Sequence, residues 1–128
     1  MAKILVADDA PAVLDVLDDV LTLEGHEVVR ATTGSEALRR FQETRPHLAV
    51  LDVIMPDMDG LVVLDAIRRI DEDLPVILMT GLVGEGLGRK VDQYHSVAFF
   101  EKGSGLHRLV ELVTKTLGDA SPRASTRP

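Results

Sequence analysis

The sequence contains no cysteine, which excludes disulfide bonds, thiolate metal sites and a cysteine nucleophile. It also has no excess of basic residues, because 14 Lys plus Arg stand against 21 Asp plus Glu and give a formal net charge of -7. We therefore expect no general electrostatic attraction to nucleic acid or to an anionic membrane surface. The charge balance favours proteins or cations as partners.

Long hydrophobic runs are absent as well. Uninterrupted apolar segments such as residues 4–7 and 76–79 are about one strand long, whereas a helix that spans a bilayer needs ~20 residues. The first three residues lead directly into a strand-like run and show no features of a signal peptide. These absences predict a soluble, cytoplasmic protein that does not bind membranes.

The pattern that is present predicts one α/β domain. A chain of 128 residues that is 45% hydrophobic can bury one core, and a second folded domain is not expected. Five strand-like runs recur at residues 3–8, 26–31, 47–52, 75–80 and 96–101. Most are continuously apolar, as in strands covered on both faces of a parallel sheet. Segments with helical spacing lie between them, which predicts right-handed crossovers and helices on both faces.

Local signals predict where the first three helices begin. Pro11 opens the first helix, since proline is favoured in a first helical turn. Thr33 and Glu36 form a capping-box pattern at the start of the second. Asp59 is placed to cap the third.

The last third of the chain has weaker signals. Four glycines fall between residues 81 and 88, and each costs a helix ~1 kcal/mol relative to alanine. We expect a loop to about Gly88 followed by a short or frayed helix, which makes about five helices in all. The final helix is predicted to end at Gly118, so the domain comprises residues 1–118. Residues 119–128, which lack apolar periodicity, are predicted to be a disordered tail or the start of a linker.

Polar residues stand at four of the predicted strand ends: Asp8 and Asp9, Asp52, Thr80, and Lys102. Ligands of doubly wound sheets bind beyond the carboxyl ends of the strands, where the winding reverses. Taken singly, each residue has a simpler interpretation as a helix cap, a turn residue or a solvated lysine. Three converging carboxylates, however, repel one another unless a cation and an ammonium group neutralise them. Oxygen ligands without histidine or cysteine favour Mg²⁺.

Four short motifs follow one another along the chain: Leu5-Val6-Ala7-Asp8-Asp9, Leu51-Asp52-Val53-Ile54-Met55-Pro56-Asp57-Met58-Asp59-Gly60, Met79-Thr80-Gly81, and Phe99-Phe100-Glu101-Lys102. In these motifs and their order the sequence closely resembles the receiver domain of two-component response regulators, over residues 3–118. The resemblance implies a flavodoxin-like, doubly wound, five-stranded parallel sheet with strand order 2-1-3-4-5.

The resemblance also implies a chemistry. Asp52 would accept a phosphoryl group from a phosphohistidine on a sensor histidine kinase or a histidine phosphotransfer protein. Mg²⁺ would be held by Asp9, Asp52 and the backbone carbonyl of Ile54, with Asp8 acting through water. Lys102 would pair with a phosphoryl oxygen as a point charge. Such a domain is no enzyme, since it promotes only its own phosphorylation and dephosphorylation.

The switch residues come from the same resemblance. Thr80 would donate its hydroxyl to a phosphoryl oxygen and move inward with its loop. Phe99 aligns with the aromatic residue that changes rotamer on phosphorylation, although an ordinary core aromatic remains the alternative. The output would be the docking of a downstream protein target that the sequence does not name.

Two departures from the family pattern lead to expectations about the backbone at Lys102 and about hydrolysis at Asp52. Gly103 stands where the family usually has proline, so the preceding peptide bond is either trans or held under strain. Ile54 and Leu82 would flank the path of an attacking water, and both are apolar. We therefore expect slow hydrolysis of the phosphorylated form.

The remaining residues of the loop after Asp52 are interpreted as shaping the site. Pro56 and Gly60 fit a turn that positions Asp52 and starts the third helix. Asp57 and Asp59 are interpreted as turn and cap residues that add to the negative field attracting Mg²⁺.

Three other functions remain open. A phosphatase of the haloacid-dehalogenase type would place its nucleophile in an Asp-x-Asp motif on the first strand, whereas Ile54 stands two residues after Asp52 and supplies no general acid. A receiver-like binding module would never react with a small phosphodonor. An FMN-binding flavodoxin is least favoured, because residues 10–13 lack a phosphate-binding loop.

Overall fold

The computed structural model of the protein describes residues 2–81 and 94–125, with side chains in the second range as far as Gly118. Its strands are β1 (Lys3–Ala7), β2 (Glu27–Ala31), β3 (Leu48–Asp52), β4 (Val76–Thr80) and β5 (Val97–Glu101). The helices in these residues are α1 (Pro11–Leu23), α2 (Gly34–Thr44), α3 (Gly60–Ile70) and α4 (Leu106–Ser125). Within the described residues, no helix is both long and apolar enough to cross a bilayer.

The sheet is parallel throughout, and its strand order is β2-β1-β3-β4-β5. The predicted fold class is therefore confirmed, and each predicted strand lies within one residue of its expected bounds. The chain winds from β1 to one side and then continues from β3 on the other side. This reversal makes β1 and β3 neighbours, so that the loops after them open at the same edge of the sheet. The helix predicted after Gly88 falls outside the described residues.

Each face of the sheet carries its own apolar core. Leu5 and Ala7 of β1 face a cluster that includes residues of α2 and α3. Ile4 and Val6 face the opposite cluster, formed with α1 and α4. The central strands β3 and β4 are buried along their whole length. Burial on both faces explains why these strands are continuously apolar, since neither face has contact with water.

The predicted helix caps are present. The Thr33 hydroxyl accepts a hydrogen bond from the Glu36 N–H at 3.1 Å. The Glu36 carboxylate accepts one from the Thr32 N–H at 2.7 Å, one residue earlier than in a strict capping box. The Asp59 carboxylate accepts a hydrogen bond from the Val62 N–H at 3.0 Å and so caps α3. These caps set the directions in which α2 and α3 leave the loops at the site.

The last helix is longer than the sequence pattern predicts. Its predicted end is Gly118, but α4 continues to Ser125. The glycine is exposed, and no atom of the described residues lies within 4 Å of where its Cβ would stand. One exposed glycine costs a helix only ~1 kcal/mol, which is too little to end it. Residues 119–125 are therefore helical in the structure, while the division of the chain after residue 118 stays a prediction.

Candidate functional site

The polar residues at the strand ends come together at one edge of the sheet. Ala7 of β1 pairs with Leu51 of β3, so Asp8 and Asp52 stand at equivalent positions on neighbouring strands. Thr80, the last residue of β4, pairs with Glu101 of β5. Asp8, Asp9 and Asp52 each offer a carboxylate oxygen, and these oxygens lie within 4.8 Å of one another. The parallel sheet thus brings together residues that are far apart along the chain.

Burial differs sharply among the three carboxylates. Asp8 is fully buried, Asp52 is 5% exposed, and Asp9 is open to solvent. The Lys102 ammonium lies 2.8 Å from Asp52 Oδ2 and 2.9 Å from Asp8 Oδ2. Backbone hydrogen bonding holds this lysine in place, since its N–H donates to the Thr80 carbonyl at 2.7 Å. One ammonium therefore faces three carboxylates, and the cluster has excess negative charge.

Burial and the neighbouring charges together shift the pKa of Asp52. Burial raises the pKa of Asp52, and the charge of Asp8 adds to the rise. The hydrogen bonds from Lys102 and from the Ile54 N–H, the latter at 3.2 Å, lower the pKa but do not cancel the effect of burial. For Lys102, burial by itself lowers the pKa, but the neighbouring carboxylates of Asp52 and Asp8 outweigh this effect and the pKa is raised. A further cation at the site would favour the ionised form of Asp52.

The donor atoms fit a hard divalent cation. Asp8 Oδ1 accepts a hydrogen bond from the Ala10 N–H at 2.9 Å. Asp8 Oδ2 is buried and accepts no hydrogen bond from the residues that the structure describes, although the Lys102 ammonium lies 2.9 Å away. A buried carboxylate oxygen with unused acceptor capacity, next to Asp9 and Asp52, is a set of ligands suited to Mg²⁺. The residues present therefore fit the ion that the sequence predicts.

The other predicted site residues lie on β4, on β5 and in the loop after β3. Thr80 is buried at the end of β4, and Ile54 exposes 75% of its surface. Phe99 on β5 is half-buried and packs against the core on the side of α2 and α3. The peptide bond between Lys102 and Gly103 is trans, so the first of the two expected alternatives holds.

Gly60 is required where α3 begins. A Cβ at this position would lie 2.5 Å from the Asp52 carbonyl oxygen and 3.0 Å from the Val53 Cα. The Gly60 N–H donates to the Val53 carbonyl at 2.7 Å. The absence of a side chain therefore lets α3 start directly against the end of β3, which agrees with the interpretation of this glycine as a shaping residue.

Asp57 has a contact that the sequence did not reveal. Its carboxylate accepts hydrogen bonds from the Gly34 N–H at 2.7 Å, the Ser35 N–H at 2.9 Å and the Ser35 hydroxyl at 2.5 Å. The hydrogen bonds from Ser35 and Gly34 lower the pKa of Asp57 to about 2. The turn-or-cap interpretation is thus incomplete, because Asp57 caps a different helix, α2. The N–H groups in the first turn of α2 need acceptors, as in any helix, but the sequence does not indicate which carboxylate reaches them.

Comparison with known proteins identifies the family. Residues 4–114 match the family described as the response regulator receiver domain. The chain belongs to this family. CheY, the chemotaxis protein of Bacillus subtilis, is 31% identical over 116 residues, which cover 90% of this chain and 97% of CheY. The receiver domain is a signalling domain of two-component systems, and the recognition made from the four motifs is confirmed.

Solved receiver structures agree with the fold. The CheY-like receiver domain protein from Methanospirillum hungatei superimposes with a TM-score of 0.90 at 26% identity, covering 96% of this chain and 98% of that chain. The response regulator TrrA from Thermotoga maritima, solved in complex with Mg²⁺ and BeF, gives a TM-score of 0.81 at 32% identity over 91% of this chain and 99% of TrrA. The chain spans about a third of the length of the probable transcriptional regulators that it also matches.

Proposed function

We propose that Asp52 accepts a phosphoryl group in a Mg²⁺-dependent reaction, and that the resulting charge changes the surface to which a partner protein binds. The observation that carries this proposal is the position of Asp52. Its carboxylate is almost fully buried, lies in one cluster with Asp8 and Asp9, and is 2.8 Å from the Lys102 ammonium. The donor would be a phosphohistidine on a sensor histidine kinase or a phosphotransfer protein in the cytoplasm.

The transfer exchanges one bond for another. A carboxylate oxygen of Asp52 forms a bond to phosphorus while the bond between phosphorus and the donor's imidazole nitrogen breaks, and the electron pair of that bond stays on the nitrogen. Mg²⁺ held by Asp9, Asp52 and the Ile54 carbonyl, with Asp8 acting through water, would offset charge on the phosphoryl oxygens. The partial burial of the site limits competing reaction with water.

Lys102 and Thr80 would bind the phosphoryl group of the product. The acyl phosphate adds about two negative charges where one carboxylate stood. Lys102 already contacts Asp52 and would pair with a phosphoryl oxygen. Thr80 ends β4 and pairs with Glu101, the residue before Lys102. It would donate its hydroxyl to another phosphoryl oxygen, and its movement would be transmitted to Phe99 on β5. A downstream protein would then bind the altered face.

Incubation with phosphoramidate and Mg²⁺ tests the proposal directly. Intact mass is expected to show one phosphoryl adduct on the wild type, no adduct on Asp52→Ala, and little adduct when EDTA replaces Mg²⁺. Asp15→Ala is the matched control, because the Asp15 carboxylate is exposed and pairs with Arg30 at 2.7 Å rather than with the cluster. An adduct of equal extent on Asp52→Ala would refute the assignment. No adduct on any variant would favour a binding module that is never phosphorylated.

The lifetime of the adduct is expected to depend on Ile54. Its side chain is exposed two residues after Asp52 and offers no group that could orient an attacking water. Ile54→Asn is expected to speed the decay of the adduct, by less than the roughly hundredfold that a true general base contributes. Adduct mass is followed after removal of the donor, with Ile54→Val as the apolar control. Equal decay in Ile54→Asn and the wild type would contradict the prediction. Leu82, the second residue of this argument, lies outside the described residues.

A further inference from the structure

The β3–α3 loop, residues 53–59, carries the backbone that is proposed to bind the metal. At its start, the Ile54 N–H donates to Asp52 Oδ1 at 3.2 Å. At its end, the Val53 carbonyl accepts from the Gly60 N–H at 2.7 Å. The first contact joins the loop to β3, and the second joins it to the first residue of α3. They do not relate the loop to Asp8 and Asp9, which belong to a different strand end.

The middle of the loop is fastened to α2. Asp57 accepts three hydrogen bonds from Gly34 and Ser35, between 2.5 and 2.9 Å. Met58, the next residue, packs so closely on Gly34 that a Cβ there would overlap its Cγ and lie 3.0 Å from its Sδ. Hydrogen bonds and packing therefore hold the loop against the first turn of α2.

The same β2–α2 junction also holds the loop after β1. The Ala31 carbonyl, at the end of β2, accepts a hydrogen bond from the Asp8 N–H at 3.1 Å. Three residues later, Gly34 and Ser35 bind Asp57. A junction that supplies no proposed ligand thus contacts both loops that do.

We propose that Asp57 is a positioning residue that sets the affinity of the site for Mg²⁺. It binds no metal itself, and the idea rests on the proposed metal site. By clamping the β3–α3 loop to α2, it fixes the distance between the Ile54 carbonyl and the Asp8–Asp9 pair. Mg²⁺ demands near-ideal octahedral geometry, so a small displacement of one ligand weakens its binding. Partners of metal ligands commonly change metal affinity by about 10- to 100-fold when they are mutated.

The test is the dissociation constant of Mg²⁺ for the unphosphorylated protein, measured by isothermal titration calorimetry. Asp57→Asn keeps the shape of the side chain, but its amide nitrogen is a donor and cannot accept from Ser35. We expect Mg²⁺ to bind this variant about tenfold more weakly. Excess Mg²⁺ is expected to restore its rate of phosphorylation by phosphoramidate, because the reacting groups are unchanged.

Two control variants distinguish positioning by Asp57 from the loss of a negative charge and from the loss of a helix cap. Asp59→Asn removes the same charge from the same loop, and asparagine caps a helix about as well as aspartate. Thr33→Ala removes the other cap of α2 and leaves Asp57 in place. Both are expected to bind Mg²⁺ within about threefold of the wild type, since their Asp57 clamp is intact. Thermal unfolding of every variant verifies that it is folded at the temperature of the titration.

The outcomes of the titration distinguish failure of the Asp57 inference from failure of the proposed phosphorylation. Unchanged Mg²⁺ affinity in Asp57→Asn would overturn the inference, and so would an equal loss in Asp59→Asn or Thr33→Ala. A wild type that binds no Mg²⁺ would overturn both the inference and the proposed metal site. A wild type that binds Mg²⁺ but forms no adduct would overturn only the proposed phosphorylation, because the titration still measures the effect of Asp57.

Discussion

Replacement of Lys102 by methionine is expected to destabilise the metal-free protein by about 2 kcal/mol at neutral pH. The ammonium lies within 2.9 Å of both Asp8 and Asp52, which are almost completely buried. Removal of one partner from a fully buried ion pair costs about 3–5 kcal/mol, because the other charge is left without compensation. The Lys102 side chain is 34% exposed, so screening by water reduces that figure. Urea unfolding in EDTA measures the effect.

The loss of stability in Lys102→Met should be largest at neutral pH and smaller at acidic pH. In the wild type the pKa of Asp52 is already raised, and the hydrogen bond from Lys102 is one of the effects that oppose the rise. Without the ammonium the pKa of Asp52 rises further. A carboxyl whose pKa is higher in the folded than in the unfolded chain destabilises the fold once it must ionise. The difference between Lys102→Met and the wild type is therefore largest at neutral pH and shrinks as the pH falls through the raised pKa.

Two further measurements sharpen the Lys102 experiment. Lys102→Arg keeps the charge and should lose less stability than Lys102→Met, although its planar group is shaped differently. Mg²⁺ should recover part of the stability of Lys102→Met, because the ion supplies positive charge to the same carboxylates and binds only the folded chain. Equal stability of the wild type and Lys102→Met in EDTA would show that this ion pair does not stabilise the fold.

Gly60→Ala is expected to damage both stability and phosphorylation. The new Cβ would stand 2.5 Å from the Asp52 carbonyl oxygen, and its three nearest atoms are all backbone atoms of Asp52 and Val53, which cannot move aside as a flexible side chain could. Overpacking of this kind costs about 1–3 kcal/mol. Relief of the overlap must move α3 away from the end of β3, and Asp52 with it. A displacement near 1 Å at a reacting group can slow a reaction by about 100-fold.

The matched control for Gly60→Ala is Gly118→Ala. Gly118 lies in α4, and in the part of the chain that the structure describes no atom lies within 4 Å of where its Cβ would stand. Alanine there should stabilise the protein by up to about 1 kcal/mol, through helix propensity alone. Urea unfolding and the rate of adduct formation with phosphoramidate are measured for both variants. Gly60→Ala is expected to lower the free energy of unfolding and Gly118→Ala to raise it. A Gly60→Ala protein that matches the wild type in both assays would contradict the steric argument.

The sheet and its strand ends could be predicted because their signals are local. Continuous apolar runs of about five residues, interrupted by helical spacing, suffice to indicate a parallel sheet, and the caps at Thr33 and Asp59 are readable from adjacent residues. Since the carboxyl ends of parallel strands lie at one edge of the sheet, the same pattern predicts that Asp52 and Lys102 lie close together.

The clamp at Asp57 could not be predicted in this way. Its partners Gly34 and Ser35 are 23 and 22 residues distant, and they belong to a helix whose position is decided by packing on the sheet. The end of α4 was missed for a related reason. Gly118 is a good stop signal on average, but its cost to a helix is small enough for neighbouring residues to override it.

The amino-acid sequence by itself determined the parallel α/β sheet and the family, because the sheet shows in short-range apolar patterns and the family in four short motifs. The strand order followed from the resemblance to that family. Only the tertiary structure decided that Asp8 and Asp52 are buried while Asp9 is open, that one ammonium contacts two of the three carboxylates, and that Asp57 joins the β3–α3 loop to α2. The burial of an atom and the charges near it depend on every element packed around it. These elements come from distant parts of the chain, so no local segment determines them.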